Sequence, residues 1–430
     1  MKLRNLLYAT MVACAFASCS NDDDPIDNGG GNEVTTGDAT LEVKVATPAL
    51  TKAGEADKTI TSLSVLVFDA STSKLEAIGT DDAGKAGVGS SVIAEGITAG
   101  AKKVFVLANA KEKVEAFVAG LKNDNATTLT AFFATTKDYA NEVDGTLSMN
   151  SGVYDVNIQA GITNYLGYTE DQVAGYNGHY LSQAAGNAVK LYRNVAKVVL
   201  NKIQITADAT KYKNATLDVE DVFILHANKT TKLVGANGDS WGTTVPDSYN
   251  YLNGASNGLY SDTWVKYMTD KTDKKVQNYL TGSNYENSID FGWNLTQNIN
   301  SSSAWEPKAY SYVYENTSKD IYTLLVVKGK FKYGDVQNPE SRYYSVAIGK
   351  DGVAGIDNES FEYDVPSSFD GTRTGKLSGT VRNLQYNVDL KVAGPGYTTP
   401  FGPKAEDDTF LDVKVEVVNF GYVNQETEIE

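Results

Sequence analysis

Cysteine is nearly absent. The 430-residue chain has two, Cys14 and Cys19, and both fall within its first 20 residues. Beyond them no disulfide framework is available and no thiolate can serve as nucleophile or metal ligand, so the fold must be held by packing and ladder hydrogen bonds. Histidine is equally scarce. His179 and His226 are isolated, with no spacing that pairs them as metal ligands. There is no Gly-rich phosphate loop and no nucleophile elbow. With these routes to catalysis missing, the expectation is a protein that is not an enzyme and uses no metal and no cofactor. Basic residues are also short, 38 against 54 acidic, for a net charge of −16. A phosphate backbone needs a basic footprint, so nucleic acid is excluded as a partner. The shortage is sharpest for arginine, of which there is none between Arg4 and Arg193.

What is present favours strands. Tyrosine is abundant at 26 residues, proline sparse at 9, and turn-forming Gly, Asn and Asp are common. Ala39, Leu41, Val43 and Val45 alternate with polar residues from 39 onward, as in a half-buried strand. Residues 60–70 carry apolar side chains on both faces, Leu63, Val65 and Val67 on one, Leu66 and Phe68 on the other. Residues 102–110 form a third strong strand. Residues 111–121 change period: Val114, Phe117, Val118 and Leu121 recur as one face of a helix. A second short helix is expected over 128–142, both helices lying as lids on a sheet. Further strands are expected at 188–205, 218–227, 320–333, 341–349 and 382–396. Residues 240–315, rich in Tyr, Asn, Ser and Gly, read as long loops around short elements.

The two ends carry the strongest signals. Lys2 and Arg4, an apolar run and then Phe16-Ala17-Ser18-Cys19 have the layout of a secretory signal. The last four residues resemble a bacterial lipobox, which would make Cys19 the lipidated first residue of the exported chain. The acidic, Gly-rich stretch after it reads as a flexible tether, and its opening Ser20-Asn21-Asp22-Asp23-Asp24 resembles a surface-export signal of Bacteroidota lipoproteins. At the other end Leu411, Val413, Val415 and Val417 alternate with Asp412, Lys414 and Glu416. The parity then shifts to Val418, Phe420 and Tyr422, as at a bulge or a change of partner. A half-buried strand so near the C-terminus either completes its own sheet or serves another molecule.

Three stretches together resemble FimA-type major fimbrial subunits (fimbrillins) of Bacteroidota type V fimbriae. They are residues 37–70 followed by 102–110, residues 191–205, and residues 381–400 with 410–425, the last including an N-x-x-Y pattern at Asn383 and Tyr386 and the Gly394-Pro395-Gly396 turn. The resemblance implies a mainly β chain of two transthyretin-like β-sandwich domains with a few short helices behind a lipoprotein signal peptide. The expected boundaries are a signal peptide at 1–18, a tether at 19–38, an N-terminal sandwich at 39–187 and a C-terminal sandwich at 188–430. It also implies a life history. The precursor is handled by lipoprotein-processing enzymes, reaches the outer membrane surface lipidated, and is cut in the loop after its first strand by a trypsin-like protease. It then polymerises with copies of itself and other fimbrial subunits into an extracellular fimbrium that supports adhesion.

In that scheme Leu41, Val43 and Val45 belong to the displaced first strand. Leu411, Val413, Val415, Val417, Phe420 and Tyr422 belong to the donor strand. Burying the four aliphatic donor side chains is worth roughly 6–12 kcal/mol before ordering costs, as an upper bound. The cut falls between Lys52 and Ala53, where the best-known members of the family carry arginine, with Lys58 as the second choice, so a lysine-accepting protease is required. The alternative is a permanently anchored surface lipoprotein, a fimbrial anchor or a module that binds a host protein or glycan receptor through Trp241, Tyr260 and Trp264.

Overall fold

The computed structural model describes residues 37–45, 59–82, 91–121, 128–138, 142, 146–184, 188–234, 251–254, 285–287, 292–293, 295–316, 322–349, 362–364, 372–374, 379–398, 400 and 411–419. For 285–287, 362–364, 372–374 and 411–419 only the backbone is described. All of them lie in one compact unit, Gly37–Glu430, and the architecture is mainly β with a few short helices.

The N-terminal half is a sandwich. One sheet has four strands in the order Ser91–Ile97, Ala39–Lys44, Thr163–Leu166, His179–Leu181. The other has five, in the order Tyr192–Arg193, Met149–Ile158, Gly100–Ala108, Ser62–Asp69, Leu75–Asp82. Their inner faces share one core. Leu41, Val43, Val92 and Leu166 from the first sheet meet Val65, Val67, Val104 and Val156 from the second.

The apolar residues on both faces of Ser62–Asp69 have a physical reason. Leu63, Val65 and Val67 face the sandwich core, while Leu66 and Phe68 face outward into a second cluster. There the helices Lys111–Gly120 and Thr128–Ala134 cover the sheet with Val114 and Phe132. Phe132 stands 5.3 Å from Phe68 and 5.2 Å from Phe105, ring centre to ring centre. Aromatic contacts at these separations add to plain burial.

The C-terminal half repeats the plan. A seven-stranded sheet runs Tyr285–Asn287, Tyr251–Asn253, Ala227–Asn228, Ala309–Tyr314, Val195–Ile205, Leu384–Val392, Leu411–Asn419. It packs on a four-stranded sheet, Gln297–Asn300, Thr216–Leu225, Leu324–Lys332, Arg342–Ala347. Val198, Leu200, Tyr386 and Val388 share their core with Leu217, Ile224, Leu325 and Val346. In Thr216–Leu225 a register shift between Val219 and Asp221 reverses the alternation. Leu217 and Val219 face inward before it, Val222 and Ile224 after it, as an inserted residue requires. The chain passes from one sandwich to the other at Asn194, between Tyr192–Arg193 and Val195–Ile205.

Three expectations need correction. The helix expected over 128–142 ends at Ala134, and Thr136–Asp138 is instead a strand paired with Thr230–Lys232. The loops expected over 240–315 contain Ala309–Tyr314, an inner strand of the seven-stranded sheet beside Val195–Ile205. Its Tyr312 and Tyr314 are buried, so the polar neighbourhood concealed a core strand. The bulge or change of partner expected after Val417 does not occur within the described strand, where the ladder with Leu384–Val392 continues unbroken through Val418 to Asn419.

Candidate assembly site

The first strand is the inner member of its sheet. Ala39–Lys44 runs antiparallel to Ser91–Ile97 on one side and parallel to Thr163–Leu166 on the other. Leu41 and Val43 are wholly buried and Val45 is 2% exposed. Polar anchors hold the backbone as well. The Val189 amide donates to the Lys44 carbonyl at 2.8 Å, and Val45 bridges Val189 in parallel. The wholly buried side chain of Asn164 donates from Nδ2 to the Thr40 carbonyl at 3.2 Å. Gly167, at φ +88°, brings its backbone so close to the Lys44 carbonyl that a Cβ would lie 2.6 Å from it, so no other residue fits.

The outer face of this strand meets an aromatic group. The Tyr168 hydroxyl donates to Glu42 Oε1 at 2.6 Å, and Lys44 Nζ stands 5.6 Å from the Tyr168 ring centre. Burial raises the pKa of the Tyr168 hydroxyl, and the Glu42 hydrogen bond and charge raise it further. It therefore remains a donor at neutral pH. Tyr165 and Tyr176 pack around it at 5.1 and 6.3 Å. The six-residue helix Glu170–Gly175 fixes this corner through a capping box between Thr169 and Gln172.

The terminal strand Leu411–Asn419 is the last strand of the seven-stranded sheet and pairs antiparallel with Leu384–Val392. The register sets Leu411, Val413, Val415 and Val417 opposite Val392, Leu390, Val388 and Tyr386, all buried. In the single chain the terminal strand thus completes its own sheet, with one hydrogen-bonded neighbour among the described residues.

A buried polar seam joins the sandwiches. Glu142 accepts from Ser148 Oγ at 2.5 Å and from the Tyr314 hydroxyl at 2.9 Å, and pairs with Lys137 at 3.1 Å. Arg382 pairs with Glu315 and donates to Asn194 Oδ1 at 3.1 Å and to the Lys232 carbonyl at 3.1 Å. The N-x-x-Y residues lie here too. Asn383 Oδ1 accepts from the Arg193 amide at 3.1 Å, and the Tyr386 hydroxyl accepts from the Val381 amide at 2.9 Å.

Cys19, Lys52, Ala53, Trp241, Tyr260, Trp264, Phe420 and Tyr422 lie outside the described residues. Among the described residues no three His, Cys, Asp or Glu side chains stand together as a metal site, and no helix is long and apolar enough to cross a membrane. His179 Nδ1 lies 2.7 Å from Asn164 Oδ1 and His226 Nδ1 lies 3.1 Å from the Tyr322 carbonyl. Sequence reasoning missed Tyr168, Asn164 and Gly167, because each acts on the first strand from more than a hundred residues away.

Fold and site define a class of tandem β-sandwich proteins in which the N-terminal sandwich is closed by an inner first strand. The particular resemblance is to fimbrial proteins. Residues 39–203 match the family model described as Major fimbrial subunit protein (FimA). Major fimbrium subunit FimA type-3 of Porphyromonas gingivalis is 25% identical over 426 residues, spanning 94% of each chain. Type-5 from the same organism is 29% identical over 277 residues, which is 61% of this chain and 59% of that one. A crystal structure of fimbrilin (fimA) from P. gingivalis W83 superposes with a TM-score of 0.60, covering 91% of this chain and 100% of that one at 20% identity, and so shares the fold. Over those stretches the chain is similar to the FimA-type major fimbrial subunits.

Proposed function

We propose that the chain is a structural stalk subunit of a cell-surface fimbria. It is exported as a precursor lipidated at Cys19, matured by cleavage between Lys52 and Ala53, and polymerised by donor-strand insertion. The observation that carries this reading is the inner position of Ala39–Lys44 in its sheet. Removing an inner strand leaves two strand flanks, Ser91–Ile97 and Thr163–Leu166, with unpaired backbone groups over an exposed apolar core. Such a gap is a template for strand addition. Loss of Leu41, Val43 and Val45 forfeits roughly 5–9 kcal/mol of burial, an upper bound that a replacement strand restores.

The terminal strand is suited to the donor role. With a single hydrogen-bonded neighbour among the described residues, it leaves by breaking one ladder and not two. Insertion of one copy's tail into the next copy's groove is a head-to-tail contact and propagates without closing, as a filament does. The FimA relatives support a fimbrial role. Cleavage falls to a lysine-accepting protease, because no arginine lies between Arg4 and Arg193. The partners are copies of the same chain and other fimbrial subunits, at the outer membrane surface first and in the extracellular fimbrium afterwards.

The test is the N-terminal residue and mass of the protein recovered from the native cell surface. A lipid-free chain starting at Ala53 is the expected result. A lipidated Cys19 at the terminus of the surface pool overturns the stalk reading and leaves a permanently anchored lipoprotein.

A further inference from the structure

The strand that leaves and the strand that arrives are near copies. Residues 41–45 read Leu-Glu-Val-Lys-Val and residues 411–415 read Leu-Asp-Val-Lys-Val, four identities and one exchange of carboxylates. Resting on the strand-exchange reading above, we propose that the incoming terminal strand enters in a single register and direction. Leu411 to Val415 take the places of Leu41 to Val45, parallel to Thr163–Leu166. Tyr168 of the receiving subunit selects that register by hydrogen bonding to Asp412.

Apolar alternation alone does not fix the register. Leu411, Val413, Val415 and Val417 repeat every second residue, so a slip of two keeps every aliphatic side chain inward. The outward-facing places break the degeneracy. In the precursor the Tyr168 hydroxyl, in a residue only 8% exposed, donates to Glu42, and Lys44 stands over the ring. A slip of two in one sense puts Lys414 in the place of Glu42, so the buried hydroxyl loses its acceptor and meets an ammonium. A slip in the other sense puts Phe410 there. Among registers in the parallel direction, only the in-step one returns a carboxylate to the hydroxyl and an ammonium to the ring.

Direction is set by the backbone. Reversed, with Val417 in the place of Leu41, the strand would also bring a carboxylate, Glu416, to Tyr168 and Lys414 to the ring. Two observations oppose reversal. The groove holds fixed donors aimed at carbonyls of a strand running parallel to Thr163–Leu166: the amide of Val189, itself wholly buried, toward residue 44, and Asn164 Nδ2 toward residue 40. A parallel strand meets both without rearrangement, and a buried amide left without an acceptor is costly. Reversal would also put valine where Leu41 is wholly buried, leaving a gap one methylene large.

Cysteine cross-linking in the full-length chain, produced in its native host, tests the register. The folded part contains no cysteine of its own. Glu95 stands opposite Thr40 in the sheet and is exposed, so Glu95→Cys reports which donor residue occupies that place while Asp412 and Glu416 are left intact. Glu95→Cys with Phe410→Cys is expected to give disulfide-linked multimers on oxidation, at least about tenfold more than Glu95→Cys with Val418→Cys, since only the first pair falls within disulfide reach. Preferential linking through Val418→Cys, or multimers that link through neither pair, overturns the proposed register while leaving strand exchange intact. Absence of multimers from the unmodified protein overturns strand exchange itself.

A second measurement targets the selection. Asp412→Asn leaves the precursor's own Glu42–Tyr168 bond in place. It is expected to speed dissociation of multimers in detergent by about tenfold, the scale of one hydrogen bond to a charged group. Combined with Tyr168→Phe it should add nothing to the effect of Tyr168→Phe alone, because the carboxylate at 412 acts only through that hydroxyl. Full additivity, or sensitivity to Glu416→Gln in place of Asp412→Asn, refutes the role given to Tyr168.

Discussion

At the scale of single residues, buried polar groups carry the most informative chemistry. Lys102 is 1% exposed, held between Asp69 at 2.8 Å and Glu76 at 2.7 Å. Burial pushes the Asp69 carboxyl up, but hydrogen bonds from Lys102, Ser71 and Thr72 outweigh it and hold the group well below the usual carboxylate range. His226 shows the opposite balance. Burial depresses its pKa from 6.5 to about 4, and its contact with the Tyr322 carbonyl only partly offsets that. The unfolded chain therefore binds a proton that the folded chain refuses between pH 6.5 and about 4. Stability is full above that window and falls as the pH drops through it, by about 2–3 kcal/mol from this residue. His226 sits at φ +59°, a conformation asparagine tolerates. Urea unfolding across the window should show a shallower pH slope for His226→Asn than for the parent chain.

At the scale of elements, the proposed strand exchange gives two strands of similar sequence different work before and after assembly. Leu41→Ala removes a wholly buried leucine from the inner strand of the precursor and should cost about 2–5 kcal/mol there. In the mature filament that strand has been cut away, and the same substitution should leave multimer stability unchanged. Val413→Ala should weaken the multimer instead, because Val413 then fills the place of Val43. Unfolding of the isolated precursor, set beside detergent resistance of the surface multimers, separates the two effects. Equal losses in both forms from Leu41→Ala would mean that the first strand is retained.

At the scale of the molecule, the polar seam makes two sandwiches behave as one unit. Strand Thr230–Lys232 reaches from the second sandwich to pair with Thr136–Asp138, and Leu233 and Val234 continue into the apolar cluster beneath the helices. Arg382 and Glu315, both nearly inaccessible, tie that arm to the crossover at Asn194. A stiff joint between sandwiches lets a pull on one subunit pass along a filament without bending it. Arg382→Leu strands the Glu315 carboxylate without its partner and should cost about 3–5 kcal/mol. Calorimetry should then resolve two unfolding transitions for the variant and a single one for the parent chain.

Much of this was legible from the sequence, for a stated reason. Alternation with period 2 reports a strand with one wet face, which is why Ala39–Lys44, Leu384–Val392 and Leu411–Asn419 could be read directly. The apolar residues on both faces of Ser62–Asp69 likewise announced helices over that sheet. Ala309–Tyr314 escaped notice because two of its four buried residues are tyrosines, in a stretch set among Asn, Ser and Lys, and composition does not distinguish buried tyrosine from exposed tyrosine. The sequence by itself determined the β character, the scarcity of ligand-forming and thiol side chains, and the likeness of residues 41–45 to 411–415. Only the tertiary structure decided that Ala39–Lys44 is inner while Leu411–Asn419 ends its sheet. Only it brought Tyr168 and Asn164 to the first strand and Arg382 to Glu315. A strand's own residues fix which of its faces is apolar, but its neighbours come from distant segments, and the neighbours settle which strand can leave and what will hold its replacement.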